Sequence, residues 1–157
     1  MMKYIDYNLI GQDKLDDFFE KAFKASGFLY EPDTVHKDLR NIKEVFESSG
    51  GGFWGLLHND LIIGTVGLKV NDSSEKIGEL KCMYLLPEYQ GKGLGQLLIK
   101  KILIESKNRQ FKKIRLDVKI QSNKAISIYR KNGFYEIPKY NDNKNDVLFM
   151  EKILEVI

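Results

Sequence analysis

The sequence predicts a single α+β (mixed α/β) domain over residues 1–157, and three observations lead to that prediction. Apolar residues recur at helical spacing in four segments, whereas seven other segments alternate or run apolar between turn residues, as strands do. These segments follow one another in the order βααβββαβαββ, without internal repeats, linkers or low-complexity stretches. The chain has 157 residues, 43% of them hydrophobic and 30% charged, which is enough to bury the core of one domain.

One strand and two helices are predicted for the first third of the chain. Residues 3–8 are expected to form the strand, and Asp13 to be the N-cap of a helix that ends near Gly27. Asp33 or Thr34 is expected to cap a second helix, which stops at SSGGG. The apolar face of the first helix comprises Leu15, Phe18, Phe19, Ala22 and Phe23. That of the second comprises Val35, Leu39, Ile42, Val45 and Phe46.

A three-stranded meander is predicted next. The segments FWGLLH and LIIGTVGLKV flank Asn59-Asp60, a dipeptide that favours a two-residue hairpin turn. After the polar loop NDSSEK, the segment IGELKCMYLL forms the third strand. The middle of the domain is therefore expected to be antiparallel sheet.

Two helices and three strands are predicted for the rest of the chain. Residues 94–108 form a helix with a wide apolar face, which indicates deep burial. KKIRLDVKI alternates as a strand, SNKAISIYRKNG is a short helix closed by Gly133, and FYEI and DVLFMEKIL are the last two strands. The apolar face of the longer helix comprises Leu94, Leu97, Leu98 and Ile102, widened by Ile99, Leu103 and Ile104.

Composition narrows the classes of function. The formal charge of +3 arises from lysines interleaved with acids, so no basic stripe indicates a nucleic-acid partner, although an anionic small molecule is compatible. No apolar run reaches membrane-spanning length and the N-terminus lacks a signal-peptide pattern, so we expect a cytoplasmic protein with no membrane partner. Cys82 is the single cysteine, which excludes an internal disulfide. His36 and His58 are too isolated to indicate zinc, and we expect no metal.

The stretch YLLPEYQGKGLGQLLIK, residues 84–100, places three glycines before an apolar series at helical spacing. A helix that begins there exposes unpaired backbone N–H groups and the positive end of its dipole, and glycine lets an anion approach without a Cβ in the way. The stretch therefore predicts a phosphate site. The GxGxG spacing of Gly91, Gly93 and Gly95 fits neither a P-loop nor the dinucleotide fingerprint GxGxxG.

Two motifs, in this order, resemble the GNAT superfamily of acyl-CoA-dependent N-acetyltransferases. QGKGLG, residues 90–95, matches the family signature Q/R-x-x-G-x-G/A, and ELKCMYLLPEY resembles the central strand that precedes it. AISIYRKNGF resembles the motif A-I-x-x-Y-x-x-x-G-F of the same family. The resemblance covers roughly residues 54–152. It implies a GNAT-like fold, with a twisted, mostly antiparallel central sheet of about six to seven strands flanked by about four helices.

The resemblance also implies acetyl-CoA as the cosubstrate and a set of residues that contact it. In the family, the loop amides bind the coenzyme A pyrophosphate, and the splayed central strand hydrogen-bonds the pantetheine arm. Ser122 occupies the place where the family often has asparagine, and Asn123 follows it, so either is a candidate contact; Ser122 is equally a natural N-cap. The implied coenzyme-binding residues are Met83, Tyr84, Leu85, Gln90, Gly91, Lys92, Gly93, Leu94, Gly95, Gln96, Ser122 and Asn123.

Two side chains are candidates for proton transfer. An alkylamine with a pKa of ~10.4 is almost entirely protonated at neutral pH, so attack on a thioester requires that a proton be removed. Glu79 lies where some family members carry a glutamate that acts as this base, directly or through water, and it is equally an ordinary strand residue. Tyr129 matches the family tyrosine that is proposed to protonate the leaving sulfur. Cys82 is expected to be a strand residue and not a nucleophile, since direct transfer needs no acyl-enzyme.

The sequence leaves the acyl acceptor open. In the superfamily the acceptor is selected by the first two helices with their loop and by the link between the last two strands, here FLYEPDTVHK and PKYNDNKND, so Phe28, Tyr30 and Glu31, with His36, are the candidate substrate-binding residues. We expect a primary amine of a small molecule, either an amine, a polyamine or an amino acid. The alternatives are a protein N-terminal or lysine acetyltransferase, a coenzyme-binding regulatory module without turnover, and a different nucleotide-binding protein. A homodimer is compatible with the family.

Overall fold

A seven-stranded sheet forms the centre of the part of the chain, residues 2–154, that the computed structural model describes. The strand order is β1-β2-β3-β4-β5-β7-β6, and neighbouring strands are antiparallel except for β4 and β5, which run parallel. This sheet confirms the predicted α+β class. The strands are β1 Met2–Asp6, β2 Gly52–His58, β3 Leu61–Asp72, β4 Ile77–Leu85, β5 Lys113–Lys119, β6 Tyr135–Ile137 and β7 Val147–Ile153.

Helices cover both faces of the sheet, and each face has its own hydrophobic cluster. Phe53 and Trp54, adjacent on β2, belong to different clusters because successive strand residues point to opposite faces. One cluster contains the buried residues of α2, and the other those of α3 and α4. The helices are α1 Tyr7–Ile10, α2 Gln12–Ser26, α3 Leu94–Asn108 and α4 Asn123–Lys131, with short 3₁₀ helices at Lys37–Arg40 and Pro87–Tyr89 and a π-helical turn at Lys43–Glu47.

The predicted meander is confirmed. Strands β2 and β3 are joined by Asn59 and Asp60, whose φ angles of 50° and 68° are those that a two-residue hairpin turn requires. Strand β3 then pairs with β4 along most of its length. It extends to Asp72 and so includes part of the segment that the sequence assigned to a loop.

The start of α2 differs from the prediction. The first strand ends at Asp6, whose side chain accepts a hydrogen bond from the backbone N–H of Asn8 and caps the short helix α1. Helix α2 begins directly after Gly11, so Asp13 lies in its first turn and is not its N-cap. The predicted apolar face is buried as expected, and the helix ends at Gly27, whose φ of 78° suits glycine.

The predicted continuous second helix is wrong. The segment forms a turn, then a 3₁₀ helix and a π-helical turn, separated at Asn41. The Asn41 side chain donates to the carbonyl of Lys37, a local bond that competes with regular helix. Of the residues expected to face inward, Leu39, Ile42 and Phe46 are buried, but Val35 is 72% exposed because the chain is not helical there.

Helix α3 has the predicted bounds and a narrower buried face. Leu94, Leu98, Ile99 and Ile102 are buried, whereas Ile104 is 46% exposed. Two residues correspond to a rotation of about 200° along a helix, so Ile104 points away from Ile102. The C-terminal elements α4, β6 and β7 lie where the sequence predicted them.

Strand β4 bends at Cys82. This residue has a φ of 58°, and the register between β3 and β4 shifts opposite it. On its other edge, β4 pairs with β5 only from Ile77 with Lys113 to Glu79 with Arg115. Beyond Glu79 the two parallel strands no longer pair, and residues of both strands line a cavity there.

Candidate active site

Two cavities meet where β4 and β5 separate. The first, which we call the glycine-loop cavity, has a volume of about 920 Å³ and is lined by β4, the glycine-rich loop and α4. The second, the carboxylate cavity, has a volume of about 430 Å³ and contains the side chains of Asp38, Glu79 and Asp117. Both cavities are lined by Met83, Tyr84, Ser122 and Ala125. The two cavities are therefore adjacent, on the part of β4 that no longer pairs with β5.

The loop before α3 offers bare backbone to the glycine-loop cavity. Gly91 and Gly93 have φ angles of 74° and 79°, and a Cβ built on either would have no neighbour within 4 Å. Gly93 is the N-cap of α3, and no side chain caps that helix. The first N–H groups of a 15-residue helix are thus unsatisfied by side chains, an arrangement suited to an anion.

Most of the residues predicted to contact the coenzyme line this cavity. They are Met83, Tyr84, Leu85, Gln90, Gly91, Gly93, Gly95, Ser122 and Asn123. Lys124 and Lys131 line it as well, and neither belongs to the set of coenzyme-binding residues that the sequence implied. Ser122 is the N-cap residue of α4, although its side chain makes no capping hydrogen bond.

Three predicted coenzyme residues direct their side chains elsewhere. Leu94, the first residue of α3, is buried in the hydrophobic core, and the Nζ of Lys92 lies 5.7 Å from the ring centroid of Tyr89. Gln96 exchanges two hydrogen bonds with Asn132, at 2.7 and 2.8 Å. None of these three side chains lines the glycine-loop cavity, so the backbone of the loop is their contribution to it.

Tyr129 stands at the junction of the two cavities. It lies on α4, lines the carboxylate cavity, and is 5% exposed. Its hydroxyl lies 3.9 Å from the Sδ of Met83, a residue of both cavities. Burial, and next the Asp117 carboxylate, raise the pKa of Tyr129 well above its ordinary value, so the hydroxyl keeps its proton at neutral pH and can donate it.

Glu79 is a buried carboxylate that faces the carboxylate cavity. It is 5% exposed, its Oε2 accepts a 2.5 Å hydrogen bond from the Tyr140 hydroxyl, and its Oε1 lies 3.8 Å from the Nζ of Lys81. Burial lowers the pKa of Lys81, but the acidic groups around it, Glu79 first and then Cys82, Asp117 and Asp38, together outweigh burial and raise the pKa above its ordinary value. Burial and the same carboxylate raise the pKa of Tyr140.

The outer wall of the carboxylate cavity differs in detail from the prediction. Val35, His36, Asn143 and Asn145 line it, so both segments expected to select an acceptor do contribute. Phe28, Tyr30 and Glu31 are not among its described lining residues. Phe28 is 54% exposed, with the Nζ of Lys119 3.8 Å from its ring centroid, and the backbone N–H of Glu31 donates to His36.

The aromatic cluster under this wall explains the position of Tyr30. Its ring lies 5.1 Å from that of Phe23 and 5.8 Å from that of His36, and its hydroxyl is buried without a hydrogen-bond partner among the described residues. Tyr30 therefore supports the cavity from behind. Sequence reasoning missed Asp117 and Lys119, two residues apart on β5, and Tyr140, in the link between the last two strands. No local motif marks them, because only the fold brings them close to Glu79.

Cys82 lines the carboxylate cavity but is a poor nucleophile. Desolvation raises the pKa of its thiol to about 12, so the thiolate is scarce at neutral pH. The carbonyl of Cys82 accepts a hydrogen bond from the hydroxyl of the buried Thr65, at 2.9 Å, which fixes the bend in β4.

The described part of the chain, residues 2–154, contains no cluster of three or more histidine, cysteine or carboxylate side chains arranged to hold a metal ion. Over the same residues, none of the helices combines the length and apolarity needed to cross a membrane.

Sequence comparisons agree with the motifs. The model of the acetyltransferase (GNAT) family matches residues 13–134. An uncharacterized N-acetyltransferase of Methanocaldococcus jannaschii, MJ1207, is 29% identical over 137 residues, which cover 81% of this chain and 59% of that protein. The matches span 36%, 60% and 59% of the lengths of the first three curated relatives, so the chain corresponds to only part of each.

Solved structures share the fold over nearly the whole chain. An acetyltransferase of the GNAT family from Staphylococcus aureus is 26% identical, with a TM-score of 0.85 over 99% of this chain and 100% of that one. The PaiA N-acetyltransferase of Thermoplasma acidophilum, solved in complex with coenzyme A, is 22% identical, with a TM-score of 0.70 over 98% and 99% of the two chains.

Proposed function

We propose that this chain, which belongs to the acetyltransferase (GNAT) family, moves an acetyl group from acetyl-CoA to a primary amine of a small molecule. It is an acyl-CoA-dependent N-acetyltransferase by its family and its fold. Both substrates would be bound together, and the amine would attack the thioester directly. One observation carries this proposal: the two cavities meet at the opening between β4 and β5, with Tyr129 beside it.

The glycine-loop cavity would hold the coenzyme. The uncapped start of α3 and the open backbone at Gly91 and Gly93 suit a pyrophosphate, and Lys124 and Lys131 add positive charge on the α4 side. The edge of β4 that separates from β5 has backbone groups free for the pantetheine amides. The coenzyme A complex of the Thermoplasma neighbour, which has the same fold, is consistent with this assignment.

The chemistry would proceed by direct transfer. The acceptor ammonium loses a proton to Glu79, directly or through a water molecule, and the neutral nitrogen attacks the thioester carbonyl. The C–N bond forms and gives a tetrahedral intermediate whose nitrogen carries one proton more than the amide product. As the C–S bond breaks, the thiolate takes a proton from the Tyr129 hydroxyl, and the proton that the nitrogen releases returns to Tyr129 through water. The high pKa of Tyr129 keeps this donor protonated, and the high pKa of Cys82 disfavours an acyl-enzyme.

A small acceptor is favoured over a protein tail. The carboxylate cavity measures about 430 Å³ and is walled by His36 on one side and by Asn143 and Asn145 on the other. Names of similar proteins point to different acceptors: a Haemophilus influenzae relative is named for the alanine of ribosomal protein bS18, and a structural neighbour for spermidine. The acceptor of this chain must therefore be found by experiment.

Thiol release from acetyl-CoA, with mass spectrometry of the product, is the direct test. The panel comprises amino acids, polyamines, arylalkylamines, aminoglycosides and short peptides with free N-termini. Turnover on a small amine supports the proposal, and turnover on peptides alone supports the protein acetyltransferase alternative. Tight acetyl-CoA binding without turnover on any class supports a regulatory module. A bound nucleotide that acetyl-CoA fails to displace in a competition assay supports a different nucleotide-binding protein.

A further inference from the structure

Most charged side chains of the carboxylate cavity form ion pairs with other side chains of the protein. The charged side chains without such a pair are the ones available to a ligand. The Oε1 of Glu79 lies 3.8 Å from the Nζ of Lys81, and the Oδ2 of Asp38 lies 3.5 Å from the Nζ of Lys69. His36 is neutral at physiological pH because burial lowers its pKa. The remaining charged side chains in the described lining are Asp117 and Lys119.

Asp117 has a polar partner and makes no direct ion pair, although its charge helps to raise the pKa of Lys81 in the same cavity. Its Oδ2 accepts a hydrogen bond from the Nδ2 of Asn141 at 2.9 Å, and no cationic side chain of residues 2–154 lies within 4.0 Å of it. The carboxylate is only partly exposed. A fixed, partly desolvated anion without a cation is the group in a binding cavity best suited to an ammonium ligand.

Lys119 is the matching cation. Its ammonium group lies 3.8 Å from the centroid of the Phe28 ring, and no carboxylate of the described residues lies within 4.0 Å of it. The aromatic ring holds the side chain in place without neutralising its charge.

The two charges have a defined order relative to the reacting end of the cavity. Asp117 and Lys119 are both on β5, two residues apart, so they share a face and their Cα atoms are about 6.6 Å apart. Asp117 lies near Tyr129, whose pKa its charge helps to raise after burial. Lys119 is exposed and lies against Phe28, in the segment that also supplies Val35 and His36 to the outer wall, and its charge contributes to the lowered pKa of His36. The anion therefore faces the reacting end and the cation faces outward.

We propose that the acceptor is a small zwitterion, such as an amino acid, whose ammonium group binds Asp117 and whose carboxylate binds Lys119. This inference rests on the proposed function and names its substrate class. A polyamine would place a second cation against Lys119, which costs binding energy, whereas a carboxylate at that point gains an ion pair with an ammonium group that the Phe28 ring holds in place. The two groups thus select for charge at both ends of the acceptor.

The test compares kcat/KM for matched acceptors, namely amino acids, their amides and the corresponding decarboxylated amines. We expect the wild type to prefer an amino acid over its decarboxylated amine by at least about tenfold, roughly one well-placed charged hydrogen bond. Lys119→Met should lower kcat/KM for the amino acid about tenfold and leave the decarboxylated amine within about twofold. Lys119→Arg should restore most of the preference, and Lys107→Met, at an exposed lysine of α3 outside both cavities, should have no effect.

Asp117→Asn should raise KM for every acceptor while acetyl-CoA affinity and thermal stability stay near those of the wild type. The proposal is overturned if the wild type prefers decarboxylated amines or polyamines, or if Lys119→Met lowers kcat/KM equally for all acceptors. Calorimetric binding of amino acids to the coenzyme A-saturated protein separates this inference from the proposed function. If the wild type binds amino acids without turning them over, and both Lys119→Met and Asp117→Asn abolish that binding, the zwitterion site stands and acetyl transfer to its ligand is rejected. If the wild type binds no amino acid, the site is rejected.

Discussion

The two cavities that meet at the gap in the sheet are built in different ways. The glycine-loop cavity presents backbone, because Gly91 and Gly93 leave open space and the start of α3 has no side-chain cap. The carboxylate cavity presents side chains, among them Glu79, Asp117 and Lys119, brought together from separate strands and loops. A ligand common to a whole family can be bound by backbone, whereas a ligand particular to one member must be distinguished by side chains.

This difference predicts how variants will behave. A change on the side-chain side should alter turnover or acceptor choice and leave coenzyme affinity intact. A change in the glycine loop should weaken coenzyme binding for every acceptor alike. Tyr129, at the junction, should affect the chemical step and neither binding constant.

Tyr129→Phe should have the largest effect. Phenylalanine keeps the packing of α4 but has no proton to donate, so kcat should fall by about 10³-fold at neutral pH while acetyl-CoA affinity stays within about twofold. Stopped assays of thiol release and calorimetric titration of acetyl-CoA measure the two quantities. Tyr89→Phe is the control, since the Tyr89 hydroxyl contacts His58 at 3.1 Å, outside both cavities. Equal losses in the two variants would remove Tyr129 from the mechanism.

Glu79→Gln should have the next largest effect, with kcat lowered about 10²-fold and acetyl-CoA binding unchanged, because the amide cannot accept the acceptor's proton. Glu151→Gln is a closely matched control. Both glutamates are 5% exposed, and each accepts a hydrogen bond from a tyrosine hydroxyl and lies within 4 Å of a basic side chain.

Glu151 lies outside the described lining of either cavity, so its variant should lose stability and keep its kcat. Thermal unfolding and steady-state kinetics of the pair separate catalysis from structure. If both variants keep full kcat, the proton must leave the acceptor by another route, and Asp117 becomes the next residue to test.

The same contrast governs how much of the molecule could be predicted from sequence. The glycine-loop cavity was largely predictable, because its residues lie in two contiguous motifs and bare backbone requires glycine. Gln90, Gly91, Gly93 and Gly95 line it as the motif implied. The side chains of the same motif were harder to assign. Leu94, for example, is the first residue of α3 and points into the hydrophobic core, away from the cavity.

The carboxylate cavity could be predicted only in outline. The two acceptor segments were recognised, but Phe28, Tyr30 and Glu31 do not line the cavity. The break in the predicted second helix and the fold of residues 138–146 determine which side chains face inward. Tyr140 reaches Glu79 across 61 positions of sequence, a contact that depends on tertiary packing and has no local pattern.

Gly93→Ala should give a moderate effect, confined to the coenzyme. Gly93 and Gly27 have nearly the same backbone conformation, with φ of 79° and 78° and ψ of 7° and 8°, and a Cβ on either meets nothing within 4 Å. Each alanine variant should therefore lose a similar ~1–2 kcal/mol of folding stability. Gly93→Ala alone should also weaken coenzyme A about tenfold, because its methyl group occupies space meant for phosphate.

Denaturant unfolding and calorimetric titration of coenzyme A measure these two changes in each variant. Equal coenzyme affinities in the two variants would show that the phosphate does not approach Gly93.

Cys82→Ala should have the smallest effect, with kcat within about twofold of the wild type, because a thiol whose pKa is raised to about 12 supplies little thiolate for an acyl-enzyme. Below its pKa, the thiolate fraction of Cys82 rises about tenfold per pH unit. Alkylation of Cys82 in the wild type should therefore be slow at pH 7.5 and accelerate about tenfold per pH unit, without a plateau below pH 11. Intact mass after incubation with acetyl-CoA should reveal no added acetyl group. An acetylated Cys82, or an alkylation plateau near pH 8, would contradict direct attack and support an acyl-enzyme intermediate on Cys82.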